Sequence, residues 1–407
     1  MSNSEHERLS EIANDDEFEE ITLEDTKKKR RRPVVRILLR ILGVAALLAI
    51  VVVCYLGYSI HRIVRNGGYA EKWEEDVDGD WLRDMSYGEL PWQKMDFYVP
   101  KEFDPLKAHG ALLFIHGGAW IGGNRLEQAG FAKRMAKEGY LTGNMEYMLY
   151  NDDLGEYKSK YNIQMVLADV DLALAKLVEV GRERGYEIDR VALCGHSAGG
   201  HISMLYGYTY KERENGAPPV EIAFVAPRVG PVDFHAKTWN AEKDPRTMTW
   251  FTSFLSGVEI SEAQYVNPDE KTEAAIDSIS PLSFIESGVP PTLAVYGAKD
   301  VLVPSRHCKL LEHAFHEIKA KSIAEVEYTD RQTPVFDILV FPNSNHMLGR
   351  DPDFTLKWQG LFLAYSSRYL SESVDPTLDD IMREETGGEA IEELISEPLP
   401  SESSPSE

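Results

Sequence analysis

The chain has 407 residues, with 43 Lys and Arg against 67 Asp and Glu, for a net charge of -24. That balance excludes nucleic acid as a partner, because phosphate binding needs a basic face that the bulk of this chain lacks. The length fits one α/β domain of roughly 250 to 300 residues with appendages, and the composition is that of a folded chain.

Charge is uneven along the chain. Residues 1–26 hold ten acids against Arg8, and residues 374–407 hold eleven against Arg383, so both ends read as solvated, disordered tails. After the first tail comes the run Lys27-Lys28-Lys29-Arg30-Arg31-Arg32, with Arg36 and Arg40 following, and then residues 41–60 without a charged side chain. Twenty helical residues at about 1.5 Å each span about 30 Å, the thickness of a hydrocarbon core, and predict a transmembrane helix over 37–61. A cleaved signal peptide fits less well, since an acidic tail precedes the basic cluster and no small-x-small site follows the apolar run. Eight cations before the span against Arg62 and Arg65 just after it predict a cytoplasmic N-terminus and an outward-facing remainder of a single-pass protein. The three cysteines, Cys54, Cys194 and Cys308, make no disulfide framework.

Residues 62–90, rich in Gly, Trp and acids, read as a linker into a folded domain at 91–373. Strand and helix signals then alternate. Strands are expected at 95–99, 111–115, 141–150, 191–195, 222–226, 292–296 and 336–341. Helices are expected at 125–139, 163–180, 201–210, 305–320 and 354–369. Such alternation predicts a mostly parallel sheet covered by helices on both faces. Residues 235–280, where Trp239, Trp250, Phe251 and Phe254 mix with many charges, break the rhythm and read as an inserted cap.

The chemistry gathers where strands end. The apolar strand at 191–195 stops at Gly195, and Ser197 follows between small residues, in Gly195-His196-Ser197-Ala198-Gly199-Gly200. A sharp strand-to-helix turn there lifts the hydroxyl clear of the sheet as a nucleophile. A serine needs an imidazole to take its proton and a carboxylate to orient that imidazole. In a parallel sheet such groups lie at the carboxyl ends of strands. Asp300 follows the strand at 292–296 and His346 follows the strand at 336–341, giving the order Ser, Asp, His. Asp330 and Asp337 are weaker candidates for the acid. His307, His313 and His316 share one helical stretch, read as an exposed face, and lack the spacing of a zinc site, so no metal and no cofactor are expected. His116-Gly117-Gly118-Ala119-Trp120 follows the strand at 111–115. Its glycines leave backbone amides unobstructed, and Gly118, Ala119 and Ala198 are the expected donors to an oxyanion. His116 is expected to anchor that loop. Trp120, Tyr147 and the cap aromatics are candidates for lining an acyl or alcohol pocket, with ordinary core packing as the alternative.

Together these segments resemble the α/β-hydrolase superfamily, in the esterase and lipase branch similar to hormone-sensitive lipase and bacterial feruloyl-esterase-like carboxylesterases. The resemblance covers about 95–370 and implies an α/β-hydrolase fold, a triad of Ser197, Asp300 and His346, and a small-molecule ester as substrate. Ala119 stands where that branch usually has Gly, and Glu146-Tyr147-Met148-Leu149 where it has Asp-Tyr-Arg-Leu. The expected activity is ester hydrolysis by a membrane-anchored enzyme. The alternatives are an arylformamidase-like amidase and a catalytically silent binding protein on the same scaffold.

Overall fold

The computed structural model describes residues 71–371, apart from 103, 213–219 and 329. The expected span over 37–61, the basic cluster and both acidic tails lie outside the described residues. Among the described residues no helix is long and apolar enough to cross a membrane.

Eight strands form one sheet: β1 (Gly79–Ser86), β2 (Lys94–Pro100), β3 (Gly110–Ile115), β4 (Leu141–Met145), β5 (Arg190–His196), β6 (Glu221–Arg228), β7 (Thr292–Gly297) and β8 (Phe336–Phe341). Their order is β1-β2-β4-β3-β5-β6-β7-β8. The β1–β2 and β2–β4 pairs are antiparallel, and every later pair is parallel. Strands β3 and β7 are buried along their whole length, as strands covered on both faces must be.

The covering helices are α1 (Ala129–Lys137), α2 (Ile163–Glu183), α3 (Ala198–Thr209), α4 (Arg246–Ser256), α5 (Glu262–Val266), α6 (Glu270–Ser278), α7 (Arg306–Glu317) and α8 (Pro352–Leu370). Successive strand residues point to opposite faces. Phe224 of β6 accordingly packs on Phe362 and Tyr365 of α8, while the next residue, Val225, lies against Gly207 of α3. Phe131 of α1 packs on Trp358 and Phe362, so α1 and α8 share one layer. Tyr206 of α3 donates to Asp171 of α2 at 2.7 Å in the other. Three short helices, α4 to α6, fill the expected cap.

Three expectations need correction. The stretch read as linker includes β1, whose strand conformation comes from pairing with β2 rather than from apolar alternation: Trp81 Nε1 and the Asp84 amide both bond to the buried Asp96 carboxylate. The helix expected from residue 125 begins as a 3-10 turn at Arg125–Gln128, set by an Asn124–Glu127 capping box, before α1. The strand expected over 141–150 ends at Met145, after which the chain leaves the sheet and Tyr150 N bonds Trp120 O at 2.7 Å.

Candidate active site

Strand β5 ends at His196, α3 begins at Ala198, and Ser197 between them has φ 55° and ψ -117°. A β-carbon-bearing residue is strained there, and the surroundings must hold it. Two bonds do so: Ser197 N donates to Arg228 O at 2.8 Å, and His201 N donates to Ser197 O at 3.0 Å. The turn fits only because Gly199 lacks a side chain, since a Cβ there would lie 2.1 Å from the Ile115 carbonyl oxygen. Strain and close approach together lift Oγ out of the sheet.

The loops after β7 and β8 bring the other two groups to it. Ala298 N donates to Phe341 O and Lys299 N to Ser344 O, so the loops run bonded side by side. The two oxygens of Asp300 have separate tasks. Oδ1 accepts from the Leu302 and Val303 amides at 2.8 and 3.0 Å, and Oδ2 accepts from His346 Nδ1 at 2.7 Å. That fixes the imidazole tautomer, leaving Nε2 as an acceptor 2.9 Å from Ser197 Oγ. The β8 loop is shaped by the buried Asp351, which accepts from Asn343 N, Asn343 Nδ2 and Ser344 Oγ.

The structure therefore brings Ser197, His346 and Asp300 together in one relay. The rival acids have other partners. Asp330 closes a turn with Gln332 and Thr333, and Asp337 is buried against Ser322, Ile323 and Tyr365. Of the three helical histidines, His313 and His316 are exposed, but His307 is buried, contrary to expectation: it stacks edge-on with Trp239 and accepts from Val232 N.

The Gly-Gly loop lies beside the serine. Gly118, Ala119 and Trp120 all have positive φ, at 108°, 53° and 60°. The loop closes by Ile121 N and Gly122 N donating to Gly118 O. A Cβ on Gly117 would stand 3.3 Å from Ser197 Cβ. No hydrogen bond among the described residues occupies the amides of Gly118, Ala119 and Ala198.

Behind this loop the expected pocket residues have different work. Tyr147 is fully buried, stacks on His116 at 4.3 Å, and donates to the His116 and Gly117 carbonyls at 3.0 and 3.3 Å. It braces the loop from below and does not line a pocket. Trp120 is also buried: its Nε1 donates to His201 Nδ1 at 3.2 Å, and its ring meets Phe234, just ahead of the cap, and Phe251 of α4. His201 in turn donates from Nε2 to Ile279 O at 2.8 Å, so Trp120 ties the loop through α3 to the end of the cap. Burial pushes the His201 imidazole down to about 4, which keeps this single neutral tautomer. His116 donates from Nδ1 to Gly117 O, and its Nε2 lies 3.3 Å from Glu146, off the line of a hydrogen bond. Glu146 also pairs with Arg125, which reaches Asp96 and Asp84 as well. Burial pushes the Glu146 carboxyl up, but His116 and Arg125 outweigh it and hold the group below its ordinary range.

One residue had no sequence assignment. His196, directly before the serine, donates from Nε2 to the His346 carbonyl at 3.0 Å, and its Nδ1 would meet a Cβ on Gly117 at 3.1 Å. It therefore spans the gap between the Gly-Gly loop and the histidine loop. Burial, reinforced by Arg228 and His346, pushes it down to about 3, so it is neutral at ordinary pH.

A mostly parallel eight-stranded sheet, a strained serine between β5 and α3, and an acid and a histidine on the loops after β7 and β8 define an α/β hydrolase. The BD-FAE family model matches residues 95–315, more than half of the chain, and the chain belongs to the BD-FAE family. Esterase LipC of Mycobacterium tuberculosis is 25% identical over 250 residues, covering 61% of this chain and 57% of LipC. Kynurenine formamidase of Danio rerio is 23% identical over 144 residues, covering 35% of this chain and 44% of that protein. The chain thus spans about half the length of these curated relatives. Among solved structures, inhibited esterase B from Lactobacillus rhamnosis aligns with a TM-score of 0.57 at 19% identity, covering 79% of this chain and 96% of that one. That likeness concerns the fold.

Proposed function

We propose that the chain is a membrane-anchored serine hydrolase that cleaves carboxylic esters through an acyl-enzyme, with Ser197, His346 and Asp300 as its triad. The observation that carries this reading is the relay from Ser197 Oγ to His346 Nε2 and from His346 Nδ1 to Asp300 Oδ2, at 2.9 and 2.7 Å. The membership in a family with relatives named as esterases supports it.

In this reading Ser197 Oγ attacks the ester carbonyl carbon as its proton passes to His346 Nε2. The carbonyl oxygen gains the electron pair and is met by the Gly118, Ala119 and Ala198 amides, each of which is worth about 100- to 1000-fold in rate at such a site. The C–O bond to the alcohol breaks, the alcohol leaves with the proton from His346, and the acyl group stays on Ser197. Water, deprotonated by His346, then releases the acid and restores the serine. Asp300 stays ionised throughout and steadies the imidazolium. Ser197→Ala is expected to abolish turnover of short p-nitrophenyl esters and labelling by a fluorophosphonate without moving Tm. Unchanged turnover in that variant would end the proposal.

A second reading rests on the match to kynurenine formamidase: the same acyl transfer, directed at a formyl amide. Parallel ester and formyl-amide assays separate the two by their ratio of kcat/KM. The anchor rests on the 20 uncharged residues at 41–60 and the eight cations before them, which orient the N-terminus to the cytoplasm and the catalytic domain outward. Alkaline extraction should leave the chain in the membrane pellet; release to the supernatant would remove the anchor.

A further inference from the structure

Nine large apolar side chains are exposed among the described residues, and five of them sit on the loops that carry the Ser197 site or on the cap. Val301 and Leu302 follow the acid Asp300, Met347 follows His346, Ile121 closes the Gly-Gly loop, and Trp250 stands on α4 of the cap. Trp250 packs on Phe251, whose ring meets Trp120. Val301, Leu302 and Met347 are 87%, 63% and 66% exposed. Single exposed apolar residues need no explanation, but a group on the loops of one site does.

Fraying does not account for it. Asp300 Oδ1 holds the Leu302 and Val303 amides, Asn345 Oδ1 holds the Met347 amide, and the loops bury their own Val303 and Leu348 while turning the neighbouring residues outward. The charges are one-sided as well. On these two loops, residues 298–306 and 342–351, both carboxylates, Asp300 and Asp351, are buried, whereas Lys299, Arg306 and Arg350 are exposed, in a chain of net charge -24.

From the apolar rim and its cationic border we infer that the catalytic mouth docks on an anionic lipid surface, and that the ester it takes is drawn from the bilayer. The apolar side chains enter the boundary between headgroups and acyl chains while the cations meet lipid phosphates, as interfacial protein faces do. The sequence gives a reason for a bilayer to be at hand, since 18 residues, 61–78, separate the uncharged run at 41–60 from β1. The substrate half of this inference rests on the ester-hydrolase reading.

The test uses the full chain reconstituted in vesicles of phosphatidylcholine, with or without phosphatidylglycerol, that carry a long-chain diacylglycerol. Water-soluble p-nitrophenyl butyrate is assayed in parallel. The triple variant Val301→Ser, Leu302→Ser, Met347→Ser is expected to keep butyrate turnover within about twofold and to lose about tenfold or more on the bilayer ester. Replacing Lys299, Arg306 and Arg350 by Glu should cost about tenfold on anionic vesicles and little on neutral ones, with the difference vanishing in high salt. Equal losses on both esters would mean that the rim belongs to the pocket or the fold, and no loss on either would mean that nothing docks there. A change of mass between wild type and triple variant in detergent would assign the rim to a second copy. Each of these three outcomes overturns the inference. Docking is also read without turnover from Leu302→Trp, whose added emission should shift to the blue and be quenched by brominated lipid in anionic vesicles. That shift in a chain with no esterase activity would sink the hydrolase reading alone, and an active chain without it would sink the docking alone.

Discussion

Of the three histidine–aspartate pairs among the described residues, two are buried or half-buried and almost the same length. His346 Nδ1 lies 2.7 Å from Asp300, and His235 Nδ1 lies 2.6 Å from Asp233. What differs is the far side of each ring. His346 Nε2 meets a hydroxyl, Ser197 Oγ, whereas His235 Nε2 meets a second carboxylate, Glu273 of α6, at 3.1 Å. The Asp233 bond, then Glu273, pushes the His235 imidazole up to about 9 despite partial burial, so it is a fixed cation at neutral pH. Such a ring ties the loop after β6 to α6 of the cap and is unable to take a proton from anything. A short His–Asp bond is therefore no sign of catalysis by itself; the third partner decides whether the ring is a base or a brace.

Variants can press on that contrast. The largest effect is expected from Asp300→Asn, which leaves the shape but frees the tautomer of His346; kcat should fall about 10,000-fold with KM little changed. An equal loss from Asp330→Asn instead would move the acid elsewhere. Next in size is His196→Ala, which removes the donor to the His346 carbonyl and the wall beside Gly117. Loosening two loops at once should cost about 10- to 100-fold in kcat, partly restored by Gln, with Tm shifted little. A fall in Tm large enough to explain the lost activity would make His196 a packing residue only.

The smallest effect is expected from His235→Gln, with ester turnover within about threefold of wild type. The ring is partly exposed, so screening holds the lost stability to about 1 kcal/mol. Its dependence on pH has a definite sign. The folded value, about 9, lies above the unfolded value of about 6.5. The stabilisation is therefore complete below about 6.5 and disappears as pH rises through about 9. Thermal melts of wild type and His235→Gln should thus differ most near pH 6 and converge near pH 10. Curves that stay parallel would show that His235 carries no pH-linked load.

The sheet and the relay were legible because both follow from chain-local patterns. Continuous apolar runs marked the parallel strands, and Ser197, Asp300 and His346 each stood at the end of one. What could not be read depended on partners distant in sequence. Strand β1 has no apolar alternation and becomes a strand through β2 and Asp96. Tyr147 and Trp120 have the composition of a pocket wall and of a core equally, and only the acceptors of their polar atoms show that they support the Gly-Gly loop. His196 gave a signal, a polar ring in a turn otherwise made of small residues, but the carbonyl it reaches lies 150 residues away.

The position of β1 also governs where the polypeptide can be shortened. A chain starting after residue 90 would strip the outer strand from β2, leave Asp96 without Trp81 and the Asp84 amide, and bare a row of unpaired backbone groups to other molecules. Such a product should aggregate, whereas a cut ahead of residue 71 keeps the flank of the sheet closed.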